Sequence, residues 1–249
     1  MAYTNQIPEI VHKVRGLLCA MGLDKKIKIA FDEWNLRGWH HPNAHTIYQG
    51  RTKEEYLYPR DKNDDNTKYT MADAVFTACF LNMCGRNCDI VGMANFAPVV
   101  NTRGCIFTYD KGIVLRSTYH VFDLYVNYLG DEVLDGWMEE GRNIMEVKTK
   151  DGQITESAVL DILPTYNPQK EIYAVAVVNK SPDKTIELLL DSGGIGLKEY
   201  RIITVNGDST EAYNDVGHKA VTLKENSWSN IGEKKYTLEP HSVNIIQLR

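Results

Sequence analysis

In the first half of the chain, apolar positions recur every three to four residues and are interrupted by short, unbroken apolar runs. In the second half they recur every two. Residues 6–22 place Ile7, Ile10, Val11, Val14, Leu17 and Leu18 on one helical face, with Gly22 set as a C-terminal stop. Ile27 to Phe31 follow as an apolar, β-branched strand. From Leu36 to about Lys68 the periodicity is lost, in a polar stretch holding His40, His41, Pro42, Pro59 and the charged cluster Arg60–Asp65. Loops of this length in compact domains are usually functional or partly disordered, and this one is expected over the active face.

Thr70 to about Gly85 predicts a second helix, with Thr70 as N-cap and Asp73 three residues on, close to a capping box. Asp89 to Ala94 reads as a second buried strand, ended by Asn95-Phe96-Ala97-Pro98. Ser117 to about Leu129 predicts a third helix with Tyr119, Phe122, Tyr125 and Val126 inward. This alternation is that of successive α/β units. Beyond Gly130 short strands are predicted near 143–149, 155–163, 171–179, 185–190, 199–205, 219–223 and 241–248, separated by Gly, Asp, Asn and Pro turns. Such spacing argues for an antiparallel β-sandwich. The expected class is α/β plus all-β, divided into residues 1–130 and 131–249.

Composition narrows the picture only modestly. A chain of 249 residues that is 43% hydrophobic and 24% charged suits a globular protein. The net charge of −5, with acids and bases interspersed, gives no electrostatic case for nucleic acid or an anionic membrane. Five cysteines include Cys84 and Cys88 at helical spacing, but no second Cys/His pair completes a zinc set, so buried, reduced thiols are expected. No metal or organic cofactor is implied. No leader and no run long enough to span a bilayer is evident, and a cytoplasmic location is the expectation.

The chemistry concentrates at one strand end. Phe31 is followed by Asp32, Glu33, Trp34 and Asn35, and unpaired carboxylates are costly to desolvate. α/β barrels present catalytic side chains at such strand ends. A carboxylate there can attack an anomeric carbon or transfer a proton, an indole can wall a sugar ring, and an amide can hold a hydroxyl. Neighbours on a pleated strand point to opposite faces, so only one of Asp32 and Glu33 is expected to face a substrate. By spacing alone, both acids serve equally well as strand-end ion pairs.

Phe31-Asp32-Glu33-Trp34-Asn35 resembles the nucleophile motif of the glycoside hydrolase family 51 α-L-arabinofuranosidases. Tyr69 to Ala94, with Ala72-Asp73-Ala74 and Val91-Gly92-Met93-Ala94-Asn95, resembles the helix and eighth barrel strand that follow in that family. Glu211-Ala212-Tyr213-Asn214 and Tyr236–Val243 are similar to its sandwich-domain signatures. The ordered set spans almost the whole chain.

The resemblance implies strands seven and eight of a (β/α)8 barrel followed by a jelly-roll-like sandwich, with Glu33 as the nucleophile of a retaining glycosidase. It implies an arabinose-containing oligosaccharide as substrate, with Trp34, Asn35, Trp39 and His40 as substrate-binding candidates, and a possible homo-oligomer. The family's acid/base lies in an Asn-Glu pair, and no such pair precedes Glu33. The chain is therefore expected to be the C-terminal portion of such an enzyme, lacking its N-terminal barrel portion and inactive alone. Two departures bear on specificity: Leu36-Arg37-Gly38-Trp39 stands where many members carry an aliphatic residue and an aromatic pair, and Pro98 stands where many carry glutamine. A related retaining β-glycosidase or endoglucanase on the same scaffold, and a non-catalytic carbohydrate-binding module, are the alternatives.

Overall fold

The computed structural model describes residues 6–37, 64–139, 144–148, 152–232 and 235–249. Helix α1 (Gln6–Ala20) ends before Gly22, whose φ of 66° makes the left-handed turn that glycine adopts without strain. Of the predicted α1 face, Val11 is fully buried and Ile7 and Leu18 are partly so, all against the next helix and strand. Ile10 and Leu17 depart from expectation, at 54% and 61% exposed. Among the described residues nothing packs over that side of α1.

Strand β1 (Ile29–Trp34) starts two residues later than its pattern suggested. It pairs in parallel with β2 (Val91–Phe96), which is likewise displaced because residues 87–90 are a turn. Between the strands runs α2 (Met71–Arg86), with Thr70 as N-cap. Its capping box is as read: Thr70 N donates to the Asp73 carboxylate at 2.9 Å. A hairpin that the pattern did not suggest, β3 (Ile106–Tyr109) and β4 (Gly112–Leu115), follows β2 and leads into α3 (Ser117–Tyr128). The inward residues of α3 are Val121 and Leu124, with Phe122 and Tyr125 partly packed. Val126 was expected inward but is 80% exposed, because α3 turns Val121 and Leu124 to the large sheet.

The remainder is strand. β5 (Glu132–Val133), β8 (Leu160–Asn167), β9 (Ile172–Asn179), β11 (Glu199–Asn206), β14 (Thr222–Glu225), β15 (Ser229–Asn230) and β17 (Val243–Leu248) make a seven-stranded antiparallel sheet. Its order is β14-β11-β17-β9-β8-β5, with β15 also on β11. The pair β10 (Ile186–Leu189) and β16 (Lys235–Leu238) forms a second layer, and the hairpin β6 (Ile144–Lys148) with β7 (Ile154–Ala158) makes a separate two-stranded sheet. β12 (Asn214–Asp215) and β13 (His218–Lys219) make a small ribbon.

The large sheet is covered on both faces. Met71, Ala74, Val75, Ala78 and Cys79 of α2, with Val121 and Leu124 of α3, pack on Ala176, Val178, Ile203, Val205 and Ile245. On the opposite face Val177, Ile246 and Leu248 meet Tyr236 and Leu238. Every residue of β17 is consequently buried, and its two polar members, Asn244 and Gln247, are hydrogen-bonded through their side chains. α2 is apolar all round, since its other side carries Phe76, Phe80 and Met83 against β1 and β2.

All five cysteines are free thiols, but only Cys79 and Cys105 are buried; Cys19 and Cys88 are exposed, in place of the burial expected for all five. Cys19 falls at the solvent side of the last turn of α1, and Cys88 in the turn before β2. No described helix is long and apolar enough to cross a membrane.

Candidate active site

β1 is held by aromatic packing on α2. Phe31 meets Phe80 edge-on at 5.2 Å, and Trp34 stacks on the same ring at 4.0 Å and 16°. Phe96 of β2 closes on Trp34 edge-on at 5.0 Å, and Phe122 of α3 closes on Phe96 at 5.2 Å. Phe31 and Trp34 are three positions apart, yet both touch Phe80. A regular pleat would send them to opposite faces, and the β1–β2 register is indeed interrupted between them. Strict alternation therefore does not extend across Asp32 and Glu33, and both carboxylates are exposed at the C-terminal end of the strand.

Trp34 is 7% exposed, so among the described contacts its ring is a packing element under the strand end. Asn35 is occupied by backbone: its Nδ2 donates to the Arg103 carbonyl at 3.0 Å, and its Oδ1 accepts from Arg37 N at 3.2 Å. Trp39, His40, His41 and Pro42 lie outside the described residues. Glu33, Trp34 and Asn35 are thus contiguous at one strand end, with the first exposed and the other two supporting.

Three residues that were not site candidates organise this end. Arg37 makes a bidentate pair with Asp73, Nε to Oδ1 at 2.8 Å and Nη2 to Oδ2 at 2.7 Å. Asp73 is 1% exposed, a position a carboxylate tolerates only when fully satisfied; the fork of Arg37 and the helix N-terminus supply that. The bond to Asp73 also holds the Arg37 guanidinium above its ordinary pKa. Arg103, in the loop after β2, donates through Nη1 to the Arg37 carbonyl at 3.0 Å. Burial draws the Arg103 guanidinium below its ordinary value, and the nearby Glu33 carboxylate opposes that shift. A charged residue in the otherwise apolar and small-residue run after Pro98 was the available signal for Arg103.

Beneath the loop lies Arg116, the residue before α3, with no exposed surface. Its Nε donates to Asn66 Oδ1 at 2.7 Å and its Nη1 to the carbonyls of Thr102 and Gly104 at 2.7 and 2.8 Å. The guanidinium lies 3.9 Å from the Tyr69 ring centroid. Burial pushes the Tyr69 phenol up to about 12, against the pull of Arg116. Among the described residues no group of His, Cys, Asp and Glu could hold a metal ion.

The site so described is an exposed carboxylate at the C-terminal end of a parallel strand, on an α/β layer packed to an antiparallel sheet. Residues 32–242 match the family model described as the alpha-L-arabinofuranosidase C-terminal domain, beginning at Asp32 of the strand end. The chain belongs to that family, as its sequence resemblance implied.

It is 30% identical over 227 residues to Probable alpha-L-arabinofuranosidase C of Aspergillus clavatus, covering 88% of this chain and 39% of that protein. It is 28% identical over 227 residues to Alpha-L-arabinofuranosidase C of Emericella nidulans, with the same coverage of 88% and 39%. In fold it is similar to the thermostable GH51 alpha-L-arabinofuranosidase from Thermotoga petrophila, with a TM-score of 0.78 at 22% identity, covering 100% of this chain and 49% of that one. The chain spans about two fifths of the length of those fungal relatives, at 39%.

Proposed function

We propose that this chain is the C-terminal part of a retaining α-L-arabinofuranosidase that removes terminal α-L-arabinofuranosyl groups from arabinan- or arabinoxylan-derived oligosaccharides. In this reading β1 and β2 are the seventh and eighth strands of a (β/α)8 barrel within residues 1–130, and residues 131–249 are its sandwich. Glu33 is the nucleophile: its carboxylate attacks the anomeric carbon to form a glycosyl-enzyme, which water then hydrolyses. The acid/base that protonates the leaving group comes from an N-terminal barrel portion preceding this sequence, so the 249-residue chain alone is inactive. Trp34 and Asn35 hold the strand end, while Trp39 and His40 contact the sugar or its aglycone. A cytoplasmic location and assembly into homo-oligomers accompany the proposal.

The observation that carries the reading is the exposure of Glu33 at the end of β1, in a strand end braced on all described sides by Phe80, Asn35, Arg37 and Arg103. The test uses 4-nitrophenyl α-L-arabinofuranoside. The purified chain should give no turnover above background. The complete barrel enzyme carrying Glu33→Ala should lose turnover and regain it with azide, which replaces the missing nucleophile. Turnover by the chain alone would sink the fragment assignment, and undiminished activity of Glu33→Ala would sink the nucleophile.

A further inference from the structure

Away from the strand end, a cavity of about 310 Å3 opens between α2, the start of α1 and the segment 136–138. Its wall includes Arg86, Asp161, Lys180, Trp137, Leu160 and Cys79. Lys180 is the unusual member. It is 3% exposed, its ammonium donates to the neutral Ser157 Oγ at 3.1 Å, and it takes part in none of the ion pairs among the described residues. Asp161 does not neutralise it. That carboxylate is gripped by Arg86, Nη1 to Oδ1 at 2.9 Å and Nη2 to Oδ2 at 3.0 Å, and by Asn82 Nδ2 at 2.7 Å.

Taken together, the two cations and one acid leave the cavity wall with one uncompensated positive charge. A buried ammonium with a single neutral partner is costly, and a bound anion removes that cost. The charges of Asp161, Lys180 and Arg86 all reach the Cys79 thiol in the same wall, where burial pushes the thiol well above its ordinary value. The rest of the lining says which anion. Trp137, at 84% exposed, offers an apolar ring at the rim. Asp161 oxygens accept from hydroxyls, so the anion that suits this wall is one that also carries hydroxyl groups. The volume is that of a small ligand site.

We propose that this cavity is a second, non-catalytic site that binds a carboxylated sugar. The carboxylate pairs with Lys180, the hydroxyls meet the Arg86–Asp161 pair, and the ring lies against Trp137. The proposal is independent of the role of Glu33.

The test titrates the 249-residue chain with D-galacturonate, D-galactose and inorganic phosphate, by calorimetry and by tryptophan fluorescence. Saturable galacturonate binding with a millimolar Kd is expected, and weaker binding of galactose and of phosphate. Lys180→Met should weaken galacturonate binding about tenfold, the worth of one charge-assisted hydrogen bond. Trp137→Ala, at an exposed position that leaves the fold intact, should also weaken it, whereas Glu33→Ala should leave it unchanged. Absence of galacturonate binding overturns the proposal, as does equal affinity for galactose or phosphate, or an unaltered Kd in Trp137→Ala.

Discussion

Arg116→Met tests whether a buried guanidinium holds the loop that braces Glu33. Methionine keeps an unbranched apolar stem but is shorter than arginine and has no donor. It strands Asn66 Oδ1 and the carbonyls of Thr102 and Gly104, now bonded at 2.7, 2.7 and 2.8 Å. Each buried acceptor left unpaired costs about 1–3 kcal/mol, and relief of the arginine's own desolvation offsets part of the sum. The stack on Tyr69 at 3.9 Å is lost as well. A net destabilisation of about 3–5 kcal/mol follows. Arg116→Lys keeps the charge without the fork, so it should fall about midway between the two proteins. Urea unfolding of the 249-residue chain, followed by far-UV circular dichroism, should show the midpoint falling with an unchanged slope. If Arg116→Met unfolds within about 1 kcal/mol of the unmodified chain, the hydrogen bonds around Arg116 are not what secures the loop.

Two further outcomes are checked by similar means. A Cβ at Gly130 would lie 2.3 Å from the Tyr166 carbonyl carbon and 2.4 Å from its oxygen, so Gly130→Ala must push backbone apart at a cost of about 3 kcal/mol. Gly16, inside α1 with nothing within 4 Å, is the control: Gly16→Ala should raise stability by about 0.5–1 kcal/mol in the same urea assay. Burial draws the imidazoles of His241 and His120 below their ordinary value, so the unfolded chain binds more protons than the folded one in mildly acid solution. Their contribution is therefore fully present above about pH 6.5 and lost as pH falls through the lowered folded values. His241 has a φ of 45°, which asparagine tolerates, so His241→Asn should keep the turn and flatten the fall in melting temperature between about pH 7 and about pH 5. An unchanged slope would count against His241 as a titrating group.

Periodicity made the helices legible because each has a strong local signal. Thr70 and Asp73 announced α2, and Gly22 announced the end of α1. The strands of the large sheet were visible because Ile172–Asn179 and Val243–Leu248 are long and β-branched. What escaped were features decided by neighbours. The inward side of α3 depends on the sheet beneath it, so Val126 was indistinguishable from Val121 by spacing alone. The β3–β4 hairpin is carried by Ile106–Tyr109, an Asp-Lys turn and Gly112–Leu115, two strands of only four residues each, whose period-2 signal is weak. At the strand end, Asp32-Glu33-Trp34-Asn35 made the C-terminal limit of β1 legible. Sequence could not show that the register break brings Trp34 to the same ring as Phe31, nor that Asn35 spends its amide on Arg103 and Arg37.

The change of periodicity near Gly130 marks a change in secondary structure, but the packing runs across it. α2 lays one side on β1 and β2 and the other on the seven-stranded sheet. Its first turn is tied to the far part of the chain: Met71 N donates to the Ala212 carbonyl at 2.9 Å and Ala72 N to that of Thr210 at 3.0 Å. Those are helix N-terminal donors, which any helix must satisfy somewhere. The same turn holds Asp73, the partner of Arg37 two residues beyond Asn35. A displacement of the loop at residues 210–212 would therefore move the N-terminus of α2, and through Asp73 and Arg37 the backbone that follows Glu33. The antiparallel sheet thereby helps fix where the exposed carboxylate sits, through a chain of named hydrogen bonds rather than by proximity. Residues 130–249 without α2 and α3 would leave Ala176, Val178, Ile203 and Ile245 bare on one face of the sheet, an exposed apolar surface that favours association over independent folding.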